Sequence, residues 1–376
     1  MNTAMDDVSL MLGRSAADWL AGRSASARPR GALGTVRPVN RALRREFAEL
    51  GWIGLALPES MGGVGLGLRE ALVLCEAFGR HAFPEPYIAT VVMPEAVLAS
   101  ASDHPRINDL VQLQTGGERW LTLAWQEQTG DFSSHRPQTR LEGLQLTGAK
   151  CFVPAVESDT VLLVSATHAG KTVLVAVDAC APGVTLEPVA AGDGVSLARV
   201  RFEAAPVSPD AVLLRGLAAE GALMRAVTSG TLASAAHLAG LANACVEKTV
   251  NYVNGRRQFD RLIGSFQTVQ HRLVDLYTAN RLAGASWRHA LHTFGAGADL
   301  EPARLAISAA KARCADAAVE AGRVAVQLHG AMGFTEEADI GLYLRAALFH
   351  AAWLGNATQH RRRFVAGLAP EALVDV

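Results

Sequence analysis

The spacing of apolar and polar residues changes along the chain and divides it into three parts. In the first part, residues 1–116, helical spacing of the apolar residues predicts helices over Asp6–Ala21, Asn40–Leu50 and Leu68–Gly79. Asn40 is a residue type that caps a helix at its N-terminus. The glycines and proline of Gly51–Gly65 predict a bend between the second and third helices, and the Ser-, Arg-, Gly- and Pro-rich run Arg23–Thr35 predicts a break after the first.

The second part, residues 117–215, has short β-rich runs bounded by turn residues at intervals of roughly ten or more residues. This arrangement predicts a small antiparallel β-sandwich or barrel. The runs that carry the prediction are Trp120–Ala124, Gly143–Gly148, Val161–Val164, Thr172–Val177 and Ala198–Phe202.

The third part, residues 216–376, returns to helical spacing in long segments rich in Ala and Leu. These segments predict a four-helix bundle with helices at about 217–255, 266–295, 301–330 and 337–366. The expected fold is therefore an α+β multidomain chain. It has an N-terminal α-helical domain over 1–116, a middle antiparallel β-barrel or sandwich domain over 117–215, and a C-terminal four-helix bundle domain over 216–376.

Composition narrows the class of protein. Half of the 376 residues are hydrophobic, 19% are charged and the net charge is −1, so the chain can bury a core and has no basic excess for nucleic acid. The sequence has no uninterrupted run of about 18 apolar residues, so no membrane span is predicted. Met1–Leu20 lacks the basic start and the apolar core that are typical of a secretory signal. The five cysteines include no CxxC pair, which favours reduced thiols in a cytoplasmic protein and no metal site.

Three segments have distinctive residue patterns. The first, Glu49–Leu66, joins a helix end to a Gly- and Pro-rich turn. The second begins at Arg256–Asp260, which reads RRQFD, and continues with IGSFQ at Ile263–Gln267 and with Gln270. The third, Gln327–Thr335, reads QLHGAMGFT. With the helix–strand–helix layout, these segments resemble the acyl-CoA dehydrogenase family over nearly the whole chain. The resemblance implies an FAD-dependent oxidoreductase that desaturates an acyl-CoA thioester between Cα and Cβ.

The second and third segments carry groups that suit a dinucleotide. The guanidinium of Arg256 has a fixed charge and a fork geometry that fits a pyrophosphate. Phe259 and Phe266 can form an apolar wall for an adenine ring, and Gln327 offers both donors and an acceptor. An exposed charge pair at a helix end and ordinary core packing of the two phenylalanines are the alternative explanations of these residues.

The resemblance also implies where the cofactor is held. In the family, these two segments clamp the adenosine-pyrophosphate half of FAD and reach across to the FAD of a neighbouring subunit. Glycines in the third segment would let backbone approach a phosphate closely, although a helix C-cap and turn would use the same glycines. The implied cofactor-binding residues are Arg256, Phe259, Phe266, Gln267, Gln270, Gln327, Gly330 and Gly333.

The chain departs from the family where the catalytic base is expected. Family members use a carboxylate to take the proton from Cα while a hydride passes from Cβ to the flavin. At the commonest base position, in a Y-E-G-T pattern, this chain reads Trp353–Asn356, and Leu354 cannot accept a proton. The alternative position, 29 residues before Phe259, is Gly230, and the Arg that usually follows it is Thr231. We therefore expect no catalytic residue in this chain.

The segments that face the flavin ring in the family are also altered. They correspond to Ala124–Ser133 and Lys150–Ala155. Phe152 would take the place of the aromatic residue that stacks on flavin. Pro154 would replace a hydroxyl donor, and proline offers neither a side-chain nor a backbone donor. The flavin site of this chain is therefore expected to be incomplete.

A retained clamp and a missing base predict a base-less subunit of a heteromer, of the α2β2 kind known in this family. The resemblance implies that the partner is a homologous subunit that carries the catalytic Glu. The implied substrate is an acyl-CoA of lipid metabolism, which is often bulky in such complexes. The implied electron acceptor is an electron-transfer flavoprotein. Two alternatives stay open. One is a non-catalytic structural or regulatory homologue that binds no flavin, and the other is a flavoenzyme of the same fold with altered chemistry.

Two basic features have both an ordinary and a functional explanation. His329 lies inside the third segment, where it could pack on the cofactor, serve the structure alone or act as an acid or base. The run His360–Arg363, with His350 before it, is either an exposed stripe at a helix C-terminus or a surface for phosphate groups or an acidic partner.

Overall fold

The computed structural model describes residues 3–23, 40–84, 86–128, 130, 137–192, 196–295, 300–335 and 337–368. These ranges contain α-helices α1 Thr3–Ala21, α2 Arg41–Glu49, α3 Leu68–Arg80, α4 Met93–Ser100, α5 Ile107–Thr115, α6 Leu217–Gly255, α7 Gln267–Gly295, α8 Leu300–His329, α9 Ile340–Ala352 and α10 Ala357–Ala366. The strands are β1 Leu121–Ala124, β2 Arg140–Glu142, β3 Gln145–Pro154, β4 Val161–His168, β5 Lys171–Asp178, β6 Val184–Ala190, β7 Ser196–Pro206, β8 Val212–Arg215, β9 Arg257–Gln258 and β10 Arg261–Leu262. The predicted order of a helical, a β and a helical domain is confirmed. The predicted break at Arg23–Thr35 lies, apart from Arg23, outside the described residues.

The chain contains two compact units. The described parts of Leu33–Ala71 and Glu85–Gly230 form one, which we call the β unit. Those of Met1–Ala32, Leu72–Pro84 and Thr231–Val376 form the other, which we call the helical unit. The domain boundaries at 116 and 215 stay predictions.

The sheet of the β unit orders its strands β6-β7-β3-β2-β4-β5-β8, with β1 added beside β4. The pairings of β4 with β1 and β2 are parallel, and the other pairings of this sheet are antiparallel. Strands β2, β6 and β8 were not expected from the sequence. Strands β2 and β8 are too short to show a period of two, and β6 contains Pro188, which an edge strand tolerates.

The long helices of the third part agree with the sequence to within one residue for α6, α7 and α8. The predicted fourth helix over 337–366 is wrong, because the chain bends between α9 and α10. Leu354 and Gly355 have φ of 61° and 106°, and Asn356 then begins α10 with a capping box that includes Gln359. We call Trp353–Asn356 the α9–α10 elbow. None of the ten described helices combines the length and the apolar character that a membrane span requires.

The bend predicted for Gly51–Gly65 is observed between α2 and α3, and a buried carboxylate holds it. Asn40 caps α2 as expected, since its side chain accepts hydrogen bonds from the next helix turn. The N–H groups of Gly54 and Ala56 donate to the two carboxylate oxygens of Glu95, at 2.6 and 3.2 Å. Burial raises the pKa of Glu95 to about 7, against the lowering effect of these two N–H groups.

We expect Glu95 to make the stability of the chain fall as pH rises from about 4.5 to about 7. In this window the folded chain keeps the Glu95 proton that the unfolded chain has already lost. The stabilising contribution of Glu95 is therefore complete below about pH 4.5 and is lost above about pH 7. The change is on the order of 3 kcal/mol. Urea unfolding at several pH values should show it in the wild type and not in Glu95→Gln. Parallel pH profiles of the two proteins would contradict the assignment.

Candidate cofactor site

The first part of the candidate site is a hairpin directly after α6. Strands β9 and β10 pair antiparallel, with Gln258 opposite Arg261, and leave Phe259 and Asp260 as the two turn residues. Both have positive φ, 52° and 62°, as a type I′ turn requires. A phenylalanine is an unusual residue for this conformation. The turn presents the Phe259 side chain outward, where it is 85% exposed.

The aromatic residues of the hairpin form an open wall. The Phe259 and Phe266 rings meet edge to face, with their centroids 6.2 Å apart. The guanidinium of Arg261 lies 3.8 Å above the centroid of the Phe266 ring. Core packing is therefore excluded for Phe259, while Phe266 is half-buried. Arg256, the first residue after α6, is also exposed, so a fixed positive charge stands beside an apolar wall.

The second part of the site follows the end of α8. Residues Gly330–Phe334 form a 3₁₀ turn, which begins with Gly330 at a φ of 61°. A side chain at Gly330 would be strained, although nothing stands within 4 Å of its Cβ position. Gly333 is required for a different reason, since a Cβ there would overlap the carbonyl oxygen of Val326 in α8. Gly333 therefore permits close packing of the turn against the backbone of α8 in the same chain.

One contact, which the sequence did not reveal, brings the two parts together. The rings of Tyr252 and His329 stack with centroids 4.2 Å apart, and the Tyr252 hydroxyl donates to the His329 carbonyl oxygen at 3.2 Å. Tyr252 stands one helical turn before Arg256, whose N–H donates to its carbonyl oxygen. His329 precedes Gly330 directly, and burial lowers its pKa. The stacked pair therefore ties Arg256 to the glycine turn.

The glutamines lie on helix ends of the same unit. Gln267 is the first residue of α7, and Gln327 is exposed in the last turn of α8. The side-chain amide of Gln270 donates to the Gly264 carbonyl oxygen at 3.1 Å, which fixes it against the hairpin. The helical unit thus contains all eight predicted residues, with the hairpin residues and the glycine turn linked through Tyr252 and His329. An exposed guanidinium, an aromatic wall and amide side chains fit the adenosine-pyrophosphate half of FAD.

The two positions implied for the base hold no carboxylate. Leu354 lies in the α9–α10 elbow and is 2% exposed. Gly230 and Thr231 lie in the interior of α6. Two nearby acids in the sequence are engaged elsewhere: Glu220 accepts a hydrogen bond from the Thr172 hydroxyl, and Glu247 forms an ion pair with Arg80.

A buried lysine, also missed from the sequence, holds the elbow. The ammonium of Lys311 in α8 donates to the carbonyl oxygens of His350, Trp353 and Gly355 at 2.8, 2.9 and 3.0 Å. Burial lowers the pKa of Lys311 to about 7. His360 Nε2 lies 3.1 Å from the Leu354 carbonyl oxygen, which makes Nε2 the protonated nitrogen of a neutral ring. Burial and the Lys311 charge lower the pKa of His360 to about 3.

The basic run near the C-terminus is largely occupied within the chain. Arg361 forms an ion pair with Asp316, and His360 is buried as described above. Burial lowers the pKa of Arg363, with Arg304 acting in the same direction. Arg361 and Arg362 are the exposed arginines of the run, whereas His360 and His350 are buried, so the run is not the continuous exposed stripe that one of the two explanations expected.

The segments expected to face a flavin ring lie in the β unit and are joined by a buried ion pair. The Lys150 ammonium lies 2.6 Å from a Glu127 carboxylate oxygen and donates to the Ser165 hydroxyl at 3.1 Å. The N–H of Cys151 donates to the Gln126 carbonyl oxygen at 2.8 Å. Burial, partly offset by Glu127, lowers the pKa of Lys150 to about 8. Parts of the first segment, at 129 and 131–133, lie outside the described residues.

Two residues of the second segment depart from regular strand geometry. Phe152 has a φ of 52° within a register shift between Lys150 and Val153. Pro154 supplies its carbonyl oxygen to the Thr122 hydroxyl at 2.9 Å and has no N–H to donate. The Lys150–Glu127 and Cys151–Gln126 contacts hold the two segments together, and Pro154 contributes only its carbonyl oxygen.

Comparison with known proteins identifies the class and then the family. The fold and the family models agree on an oxidoreductase of the flavoprotein class. Models described as the N-terminal and C-terminal domains of acyl-CoA dehydrogenase match residues 12–108 and 221–368, well over half of the chain together. The chain belongs to the acyl-CoA dehydrogenase family.

Individual relatives cover nearly all of the chain. Acyl-CoA dehydrogenase FadE27 from Mycobacterium tuberculosis is 29% identical over 336 residues, which are 88% of each protein. Acyl-CoA dehydrogenase IpdE2 from the same organism is 28% identical over 94% of this chain and 95% of its own. A solved variant of the Tcur3481-Tcur3483 steroid ACAD is 27% identical, with a TM-score of 0.85 over 98% of this chain and 99% of that chain. The ChsE4-ChsE5 complex from Mycobacterium tuberculosis, 24% identical with a TM-score of 0.82, shares the fold over 100% of this chain and 98% of that one.

Proposed function

We propose that this chain is the base-less subunit of a heteromeric FAD-dependent acyl-CoA dehydrogenase. It supplies the clamp for the adenosine-pyrophosphate half of an FAD lodged on a homologous partner subunit. The partner brings the catalytic Glu and the acyl-CoA site, and an electron-transfer flavoprotein accepts the electrons. The observation that carries the proposal is one contrast. The clamp around Arg256 is exposed and tied together, whereas the implied base position holds a buried Leu354.

The chemistry of desaturation explains why this contrast matters. FAD, when bound, accepts the hydride that leaves Cβ, and a carboxylate must take the proton from Cα. Leu354 has no lone pair for that proton, and the elbow carbonyl oxygens around it are already bonded to Lys311 and His360. This chain can therefore bind and orient a cofactor without starting the reaction.

The relatives support the heteromer and a bulky substrate. FadE27 and IpdE2 are named acyl-CoA dehydrogenases, which supports the reaction class. The Tcur3481-Tcur3483 protein is described as a steroid ACAD under a pair of names, which supports both a two-chain assembly and a steroid-derived thioester. The altered Phe152 and Pro154 support an FAD that rests mainly on the partner.

Co-expression tests the proposal. This chain, tagged and expressed alone, should purify colourless. Expressed together with a homologous chain from the same genome that carries the Glu, it should give a yellow complex that acyl-CoA bleaches. A yellow preparation of this chain alone that acyl-CoA reduces would refute the base-less role. A stable but colourless complex would favour a structural homologue that binds no flavin.

Arg256→Ala tests the clamp within that complex. Losing a charge-assisted contact to pyrophosphate should weaken FAD binding roughly 10- to 100-fold. The matched control is Arg362→Ala, which removes an exposed arginine from α10 of the same unit. Its FAD content should equal that of the wild type. Equal FAD content in Arg256→Ala would show that the clamp is assigned to the wrong residue.

A further inference from the structure

Backbone carbonyl oxygens at the α9–α10 elbow converge on one buried point. The ammonium of Lys311 stands at that point and lies within 2.8 to 3.4 Å of four of them, those of His350, Ala351, Trp353 and Gly355. Two of the four belong to the last turn of α9, whose carbonyl groups have no partner inside the helix and form the negative end of its dipole. The elbow thus surrounds a positive charge with backbone oxygens.

The charge of Lys311 is compensated in an unusual way. Lys150 and Lys311 are both fully buried, and Lys150 lies 2.6 Å from a Glu127 carboxylate oxygen. Lys311, by contrast, pairs with no carboxylate of the residues that the structure describes. A buried charge is costly unless other groups compensate it, so the carbonyl dipoles do so here. Backbone carbonyl oxygens are also the groups that replace the water around K⁺ in a selectivity filter.

The backbone of the elbow depends on a donor at this point. Leu354 has a φ of 61°, which residues other than glycine rarely adopt, and Gly355 has a φ of 106°. The bend turns three successive carbonyl oxygens inward. The first and third meet Lys311, and the middle one, that of Leu354, lies 3.1 Å from His360 Nε2. His360 is neutral near pH 7, because burial lowers its pKa to about 3, so the charge inside the elbow is that of Lys311.

We propose that the α9–α10 elbow is a monovalent-cation site that the chain fills with its own ammonium, that of Lys311. The charged head group imposes the bend, and the aliphatic stem only delivers it. When the site is emptied, it accepts a small organic cation with N–H donors, a primary alkylammonium. Lys311 is thereby the positioning residue of the elbow backbone.

Lys311→Ala and its rescue by an alkylammonium test this site. The substitution removes three methylenes and the ammonium, which together have the structure of n-propylammonium. The isolated full-length chain is studied at pH 6, below the Lys311 pKa of about 7. Hydrogen exchange of the peptide over 349–360 should quicken at least about tenfold, the effect of one lost hydrogen bond. Millimolar n-propylammonium should restore the wild-type rate.

Three controls separate cation binding from general effects of salt and volume. Tetramethylammonium carries the charge without an N–H, and 1-propanol fills the volume without the charge, so neither should restore the rate. The matched variant is Gln359→Ala, which breaks the capping box of α10 and loosens the same peptide by another route. Its exchange should not respond to n-propylammonium. Unchanged exchange in Lys311→Ala, or equal rescue by 1-propanol or of Gln359→Ala, would overturn the cation site.

Lys311→Met supplies a second measurement if Lys311→Ala does not fold. Methionine keeps most of the stem and leaves the carbonyl oxygens without an N–H donor, so the elbow peptide should again exchange at least about tenfold faster. The alkylammonium should not slow this exchange, because the space of the stem is filled. An exchange rate equal to that of the wild type would show that the head group is dispensable and would overturn the proposal. The measurement needs neither partner nor cofactor, so such a result would leave the proposed function intact.

Discussion

Lys150→Met is expected to lower the free energy of unfolding by about 3–5 kcal/mol. The Lys150 side chain is fully buried, and its ammonium lies 2.6 Å from the Glu127 carboxylate. Methionine keeps most of the stem and removes the charge, so the half-buried carboxylate loses its cation. Glu127 also accepts hydrogen bonds from the N–H and hydroxyl of Thr139, so the loop it anchors loosens as well. Urea unfolding of the full-length chain measures the loss.

An exposed ion pair in the same sheet provides the control. Arg201 and Glu187 lie 2.8 Å apart on neighbouring strands, and both side chains are nearly half exposed. Arg201→Met should therefore cost less than about 1 kcal/mol. The double variant Lys150→Met with Glu127→Gln should recover part of the loss, because it no longer buries an unpaired charge. If Lys150→Met were as mild as Arg201→Met, solvent would have to screen the buried pair fully.

The Lys150–Glu127 pair also shows where the sequence stops being informative. The family pattern aligned the two segments that carry these residues, but neither residue type predicts the other across 23 positions. Their pairing depends on β3 passing beside the chain that leaves β1, where the Cys151 N–H meets the Gln126 carbonyl oxygen. Such a contact is set by strand register, which the short and weakly periodic strands of this sheet do not encode locally.

The sequence predicted the helices well where one apolar pattern covers a single helix. It failed where two helices, α9 and α10, were taken as one. The Ala- and Leu-rich pattern placed α6, α7 and α8 because tertiary packing and propensity agree along their whole length. The apolar positions on either side of Trp353–Asn356 were joined into one predicted helix, and this hid the elbow. The local signal was the Asn356 and Gln359 capping box, and the cause that the sequence could not supply is the Lys311 ammonium bound to the elbow carbonyl oxygens.

The residues of the candidate site also fall into those that the sequence indicated and those that only the fold brings together. Motif residues such as Arg256 and Gly330 could be proposed from the sequence because their chemistry and spacing are both distinctive, and their cofactor role stays a prediction. Tyr252 was missed because a tyrosine one turn before an arginine has no special pattern, and only the fold brings it to His329. Lys311 left a faint signal, since a lysine between buried Ile307 and Cys314 on one helix face needs an explanation.

Gly240→Ala is expected to destabilise the chain by about 3 kcal/mol or more, which is the upper end of the cost of overpacking. Helices α3 and α6 touch backbone to backbone at this point. A Cβ on Gly240 would overlap the Glu76 carbonyl oxygen and stand 2.8 Å from the Arg80 nitrogen. Gly79 has the reciprocal position on α3, where a Cβ would overlap the His237 carbonyl oxygen. Neither backbone can move without separating the two helices.

Gly221→Ala in the same helix is the matched control. Nothing lies within 4 Å of its Cβ position, so the substitution should be neutral or should stabilise the helix by up to about 1 kcal/mol. The two alanines have the same helix propensity, and the difference between the two variants therefore measures the helix contact alone. The urea midpoint of Gly240→Ala should fall below that of the wild type. The urea midpoint of Gly221→Ala should stay unchanged or rise. Equal midpoints would mean that α3 and α6 separate at negligible cost, and the backbone contact would then contribute little to the stability of the helical unit.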